Sequence, residues 1–273
     1  METLVLSSGG TKGVSFIGAL EYLEKYYTEF ELRNINTFVG TSIGGLISLL
    51  LSIGFSIDEL KSIVLETSFN SFFTNVKIMN FVNTLGAVNP GSIRTKLEEL
   101  LSLRGYSPKL TLGLLHKNTG KTTVFVSVDI ISEQTIYISH RSYPDMPVID
   151  AVLSSMSIPF VFPPVRYDGM VLVDGALLEP VCCNESIIGC LDKCIILDVR
   201  SKQITSVNSI GSFITKLVKT GVNNNRKIPE KNYYPINSSE SNVIDANMSS
   251  DKVSKLVLEG FESIKSQLKL KCE

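Results

Sequence analysis

Residues 37–47, TFVGTSIGGLI, join two apolar runs through a serine set among small residues. The first run, residues 35–39, is β-prone and stops at Gly40. The second, residues 43–53, reads as a buried helix that Gly54 ends. Between them Gly40-Thr41-Ser42-Ile43-Gly44 fits G-x-S-x-G. In a nucleophile elbow the serine occupies a sharp strand-to-helix turn, and glycines stand where a Cβ would clash. The helix that starts at Ile43 aims its unsatisfied N–H groups toward the serine, which favours negative charge there. The same pattern also suits a tight βα turn with a capping serine, so its meaning depends on the rest of the chain.

Upstream, residues 3–6 form a short β-prone run that ends in Ser8-Gly9-Gly10-Thr11-Lys12-Gly13, and Phe16, Ile17, Leu20 and Leu23 then recur at helical spacing. The glycine cluster fits neither G-x-x-x-x-G-K-[ST] nor G-x-G-x-x-G, so it is not a recognisable phosphate loop. Its remaining readings are an oxyanion hole built from backbone N–H groups and an ordinary strand-to-helix turn. Downstream, Ser56-Ile57-Asp58-Glu59 has the capping-box pattern of a further helix. Strand, helix, strand, helix in succession predicts a mostly parallel sheet with helices on both faces, an α/β fold of three layers.

The later chain continues that pattern. A helix is expected over 92–103, paired strands over 122–129 and 135–139, and a helix over 148–156. Extended segments at 161–165 and 170–173 flank a turn at Asp168-Gly169, and a late strand covers 194–199. Residues 223–247 are Asn- and Ser-rich and read as loop, and residues 252–270 read as an amphipathic helix. Phe69, Phe72, Phe73, Met79 and Phe81 read as core or pocket wall rather than as an exposed anchor. No repeat or composition shift divides the chain, so residues 1–273 are expected to be a single domain.

Composition narrows the function. The chain has 273 residues, 44% hydrophobic and 19% charged, which is globular rather than disordered. A formal net charge of −1 gives no electrostatic case for a nucleic-acid partner. The N-terminus has no basic segment ahead of a long apolar one, and no run approaches the ~18 apolar residues of a membrane span. A cytoplasmic protein is therefore expected, with free thiols at Cys182, Cys183, Cys190, Cys194 and Cys272. These cysteines are not spaced as paired CxxC ligands and only two histidines exist, so neither a metal nor another cofactor is expected.

The base for Ser42 is the open question. In an α/β-hydrolase the order is Ser, then Asp or Glu, then His, but His116 and His140 both precede the late-strand carboxylates. His116 lies in an expected turn and reads as solvated; His140 reads as a strand end. Asp174 closes the apolar run Met170-Val171-Leu172-Val173 and precedes Gly175-Ala176. A carboxylate at the end of a buried strand is partly desolvated, which raises its pKa and makes it a better base. A plain Asp-Gly turn is the competing reading.

Together the glycine loop, the elbow and Asp174-Gly175-Ala176 resemble the motifs of the patatin-like phospholipases. Residues 154–165, SSMSIPFVFPPV, resemble the segment that precedes the Asp-Gly motif in that family, and the likeness extends over roughly residues 3–200. The resemblance implies a Ser42–Asp174 dyad without histidine or metal, acting on fatty-acyl esters of lipids through an acyl-enzyme. It implies an oxyanion hole of backbone N–H groups at Gly9, Gly10 and Ile43, supported by Lys12, Gly13, Gly40, Gly44, Gly175 and Ala176. Phospholipid or another lipid ester would be the substrate, met during transient peripheral contact with a membrane. A neutral-lipid lipase, an acyltransferase and a non-catalytic lipid-binding protein are the alternatives. Two positions depart from the family pattern: Ser8 stands where a third glycine is usual, and Glu179 where asparagine is frequent. A serine would be strained at Ser8 if the loop needed a positive φ there. Lys12 occupies the family's basic position; as a lone charge at a helix start it reads as solvated, with contact to a head-group phosphate as the alternative.

Overall fold

The computed structural model describes residues 1–67, 84–201, 207, 210–240, 245 and 248–269. Its strands are β1 (Thr3–Leu6), β2 (Thr37–Thr41), β3 (Thr122–Asp129), β4 (Gln134–Ile138), β5 (Val165–Tyr167), β6 (Met170–Asp174), β7 (Cys194–Ser201) and β8 (Tyr233–Ser238). The main helices are α1 (Ser15–Tyr26), α2 (Ile43–Ser52), α3 (Ile57–Glu66), α4 (Gly91–Leu103), α5 (Leu112–Thr119), α6 (Val148–Met156), α7 (Ile210–Asn224) and α8 (Ser250–Lys269). All these strands belong to one sheet, ordered β5-β6-β3-β2-β1-β7-β8, with β4 also paired to β3. From β3 through β2, β1 and β7 to β8 the neighbours run parallel, and β4, β5 and β6 add antiparallel pairings.

The central strands are apolar on both faces, as a covered parallel sheet requires. Leu4, Leu6, Phe38, Phe125, Ile195 and Leu197 point into the larger core, which the residues of α1, α2, α4, α5 and α6 complete. Val5, Val39, Val124, Val126 and Ile196 point the other way, under Val181, Cys182 and the single helical turn Glu185–Ile188. Helices thus lie on both sides of a mixed sheet, with the second layer much the thinner. The Ser56–Glu59 capping box forms in both directions and starts α3. Helix α8 packs backbone to backbone on α1: a Cβ on Gly260 would lie 1.8 Å from the Ser15 carbonyl oxygen, and one on Gly18 1.8 Å from that of Val257.

Register on β3 positions the site. One edge of β3 carries β4 along Phe125–Asp129, so its other partners share the opposite edge. There β2 pairs as far as Thr41↔Val126, and β6 begins at Asp174↔Ser127. Because β6 runs antiparallel, the C-terminal ends of β2 and β6 meet head to head beside consecutive residues of β3. Ser42 follows the first of these ends, and Asp174 is the last residue of the second.

Outside the site, the structure departs from three expectations. Residues 223–247 are not all loop: α7 reaches Asn224, and β8 pairs with β7. Tyr234 and Ile236 are buried at alternate positions of β8, and Pro235 is tolerated because this is an edge strand. His116 lies on α5 rather than in a turn and is not simply solvated. Its Nδ1 is 2.9 Å from the Lys121 carbonyl, and its ring stacks on that of His140 with centroids 3.7 Å apart. The extended segment expected at 161–165 becomes a strand only from Val165, after Pro163 and Pro164. The aromatic stretch holding Phe69, Phe72, Phe73, Met79 and Phe81 lies outside the described residues, as does Cys272. Among the described residues no helix is long and apolar enough to cross a membrane.

Candidate active site

Ser42 takes φ 58° and ψ −126°, a conformation that a residue with a side chain adopts only when its surroundings enforce it. Two close approaches enforce it here. A Cβ on Gly40 would lie 2.3 Å from Gly44, and a Cβ on Gly44 would lie 2.3 Å from the carbonyl oxygen of Leu6. Helix α2 therefore begins against both β2 and β1, and its N-terminus opens at Ser42.

The Ser42 hydroxyl donates to Asp174 Oδ2 at 2.6 Å. The other oxygen, Oδ1, accepts the Ala176 N–H at 2.9 Å. Both side chains are buried. Burial pushes the Asp174 carboxyl up to about 6, against the opposing pull of the Ser42 and Ala176 hydrogen bonds. Gly175 fits under this turn because its missing Cβ would stand 2.3 Å from the Val126 carbonyl oxygen.

The junction between β2 and β6 leaves backbone groups that the ladder cannot satisfy, and Ser155 of α6 and Ser157, just past its end, satisfy them. Ser155 Oγ accepts the Ser42 N–H at 2.9 Å and donates to the Val126 carbonyl at 2.6 Å. The Asp174 N–H donates to the Ser157 carbonyl at 2.9 Å. Ser155→Ala would leave a buried N–H and a buried carbonyl short of a partner. The expected result is a loss of about 2 kcal/mol in stability, read by denaturant unfolding. Turnover should fall with it, in kcat rather than KM, because Ser155 orients Ser42 without reaching bound substrate.

The glycine loop faces this pair. Ser7 Oγ accepts the Val199 N–H at 2.9 Å, and the Ser8 N–H donates to the Pro180 carbonyl at 2.8 Å. Ser8 is not among the residues with positive φ, so serine is unstrained there; Gly10, at φ 57°, is the loop residue that needs glycine. The amides of Gly9, Gly10 and Ile43 donate no hydrogen bond to any carbonyl or side chain among the described residues. Gly13 packs against Ile43, whose Cγ2 would lie 2.4 Å from a Cβ there.

Lys12 is buried rather than solvated. Burial lowers its ammonium from 10.5 to about 7, helped by Lys219 and Arg226 and opposed by Glu240. It lines a cavity of about 410 Å³ together with Ser42, Asp174, Gly9, Gly10, Arg200, Lys219 and Arg226. Arg200 and Arg226 both bond the fully buried Asp198, which also accepts from the Tyr233 hydroxyl. A second, apolar cavity reaches Ser42 from the other side, between Ile17, Leu46, Ile63, Ile93, Leu97 and Phe162. Neither histidine is among the described residues that line these cavities.

Glu179, the second departure from the expected motif, is built into the wall behind the site. It accepts from the Tyr137 hydroxyl at 2.5 Å and from the Cys183 N–H at 3.2 Å. Sequence reading did not single out Ser155, Arg200, Lys219 or Arg226. The available signal was charge: residues 199–229 hold six Lys and Arg and no Asp or Glu. Among the described residues no group of three or more His, Cys, Asp or Glu is arranged to hold a metal ion.

The chain is similar to known proteins in sequence and in fold. It is 28% identical over 179 residues to a protein of Invertebrate iridescent virus 6 named "Probable lipid hydrolase", a match covering 64% of this chain and 60% of that one. It is 27% identical over 177 residues to an uncharacterized protein of Acanthamoeba polyphaga mimivirus, covering 64% and 58%. The matches thus span about 60% of the length of these relatives. Among solved structures, VipD from Legionella pneumophila superposes with a TM-score of 0.65 at 17% identity, over 98% of this chain and 66% of that chain. A family model described as Patatin-like phospholipase matches residues 4–184, a span holding the glycine loop, the Ser42 elbow and the Asp174 turn, and the chain belongs to that family.

Proposed function

We propose that the chain is a lipid acyl hydrolase that cleaves fatty-acyl esters of phospholipids with Ser42 as nucleophile and Asp174 as base. The observation that carries this reading is the 2.6 Å hydrogen bond from Ser42 Oγ to Asp174 Oδ2, placed where an apolar cavity meets a cationic one. Ser42 Oγ attacks the ester carbonyl carbon as its proton passes to Asp174 Oδ2. The amides of Gly9, Gly10 and Ile43 hold the oxyanion; one such donor is worth roughly 3 kcal/mol of barrier. The proton leaves on the departing alcohol, and an acyl ester remains on Ser42. Asp174 then takes a proton from water as its oxygen attacks the acyl ester, and returns that proton to Ser42 Oγ as the serine leaves and the fatty acid is released.

The two cavities divide the substrate. The apolar one suits an acyl chain, and the one holding Lys12, Lys219 and Arg226 suits a phosphate. This favours a phospholipid over a neutral lipid, and it requires transient contact with a lipid surface. Release of fatty acid from phosphatidylcholine, phosphatidylglycerol and triacylglycerol, followed by mass spectrometry, tests the reading. Phospholipid turnover exceeding triacylglycerol turnover is expected. A fluorophosphonate probe should label Ser42; an unlabelled Ser42 would count against an activated serine.

The pH profile carries a second expectation. Asp174 must be ionised, so turnover of a small uncharged ester should rise as pH passes through about 6 and then stay level. Lys12 loses its charge as pH passes upward through about 7. Phospholipid kcat/KM should therefore fall again above that pH, while the uncharged ester shows no such fall. Identical profiles for the two substrates would remove Lys12 from phosphate recognition.

A further inference from the structure

The chain as a whole carries a net charge of −1, but residues 199–229 carry Arg200, Lys202, Lys216, Lys219, Arg226 and Lys227 with no acid. This segment contains α7 and lies wholly outside the family match at residues 4–184. One side of α7 is built into the molecule: Val218, Lys219 and Val222 line the cavity that holds Ser42 and Asp174. The opposite side is turned outward. Phe213 is 57% exposed and Leu217, one turn on, 53% exposed, with Thr220 and Asn224 also exposed on that side. Ile228 lines the same cavity and is 61% exposed. Phe160 and Leu178, the chain neighbours of the lining residues Pro159 and Leu177, are 41% and 39% exposed.

Large apolar side chains left in water around a cavity mouth, on a segment of one charge sign, are the features of a surface that meets lipid. We infer that α7 is an interfacial helix that seats the mouth of the Ser42 cavity on an anionic bilayer. Phe213 and Leu217 enter the acyl boundary, Lys216 and the exposed Lys227 face the headgroups, and the inner side of α7, with Lys219, remains the wall of the cavity. Arg200 and Arg226 are paired with Asp198, but Lys216 and Lys227 lie toward the surface and gain from a negative surface potential, a gain that is lost in salt, so the bilayer is anionic. This inference rests on the lipid-ester reading of the site, and it adds the docking surface and the lipid charge that surface selects.

The test uses the 273-residue chain carrying Ser42→Ala, so that vesicles are not consumed. It compares sedimentation with vesicles of phosphatidylcholine alone and of phosphatidylcholine mixed with phosphatidylglycerol. Binding to the mixed vesicles is expected, with little binding to phosphatidylcholine and a steep loss in high salt. Adding Phe213→Ser and Leu217→Ser should weaken binding by about 30-fold or more, given the area two such side chains bury. In an otherwise wild-type chain the same pair should leave turnover of a water-soluble ester unchanged. Equal vesicle binding with and without the pair overturns the proposal, as does no binding to anionic vesicles. Self-association that disappears with the pair, in place of vesicle binding, identifies a second copy as the occupant and also overturns it. If the pair controls vesicle binding but no ester is hydrolysed, the hydrolase reading fails and the docking surface stands. If soluble ester is hydrolysed without vesicle binding, only the docking surface fails.

Discussion

Asp174→Asn is expected to lower ester turnover by at least about 10³-fold while making the protein more stable at pH 8. The two effects have one cause. Asp174 is fully buried, and burial raises its carboxyl from 3.8 to about 6. A group whose folded pKa lies above its unfolded value favours the folded state fully below about pH 4, and that contribution is lost as pH rises through 6. At pH 8 the wild type therefore holds a buried charge that costs about 3 kcal/mol relative to the unfolded chain. Asparagine never ionises, and its amide can still take the Ala176 N–H and meet the Ser42 hydroxyl. Thermal unfolding at pH 8 should show the variant melting higher, and at pH 4 the gap should close. Ser42→Ala should lose turnover to a similar degree, and the double variant should lose no more, because the two groups act as a unit. If Asp174→Asn keeps turnover within about tenfold of wild type, Asp174 is not the base. If its melting point matches wild type at both pH values, the buried charge is not destabilising.

The elbow was legible in the sequence because its requirements are local. Gly40 and Gly44 stand within four residues of each other, and the strand and helix they join carry their own apolar patterns. The Asp-Gly turn was legible for the same reason. Their meeting was supported only by family likeness, because Ser42 and Asp174 are 132 residues apart in the chain. What joins them is register on β3, which no local pattern records. Ser155 was invisible for a related reason. A helix serine looks like any other until the strand junction it satisfies is known. Lys12 was read as solvated because lone lysines usually are. The elements that bury it and crowd it with charge, α7 and the residues after it, lie some 200 residues downstream. Strand β8 was lost among Asn and Ser, since only Tyr234 and Ile236 of its six residues are fully buried apolar side chains.

Gly44→Ala should be severely damaging, because the change falls at the elbow itself. The added Cβ would lie 2.3 Å from the Leu6 carbonyl oxygen and 2.6 Å from that of Ser7. Both are backbone atoms, held by β1 pairing and by the Ser7 N–H bond to the Leu197 carbonyl at 3.0 Å, so no side chain can swing aside. The helix must move instead. Helix α2 carries Ser42 at its start, while Ser7 leads through Ser8 into Gly9 and Gly10, so that motion separates the proposed nucleophile from the proposed oxyanion donors. The expected loss is about 3 kcal/mol of stability and on the order of 100-fold in kcat, read by urea unfolding and single-turnover kinetics. Gly221→Ala supplies the contrast. Gly221 also lies within a helix, α7, but nothing stands within 4 Å of its missing Cβ. There alanine should stabilise by up to about 1 kcal/mol through helix propensity alone. The same substitution in two helices should thus change stability with opposite signs. A Gly44→Ala protein that unfolds like wild type would mean that β1 and α2 are not in contact at the elbow.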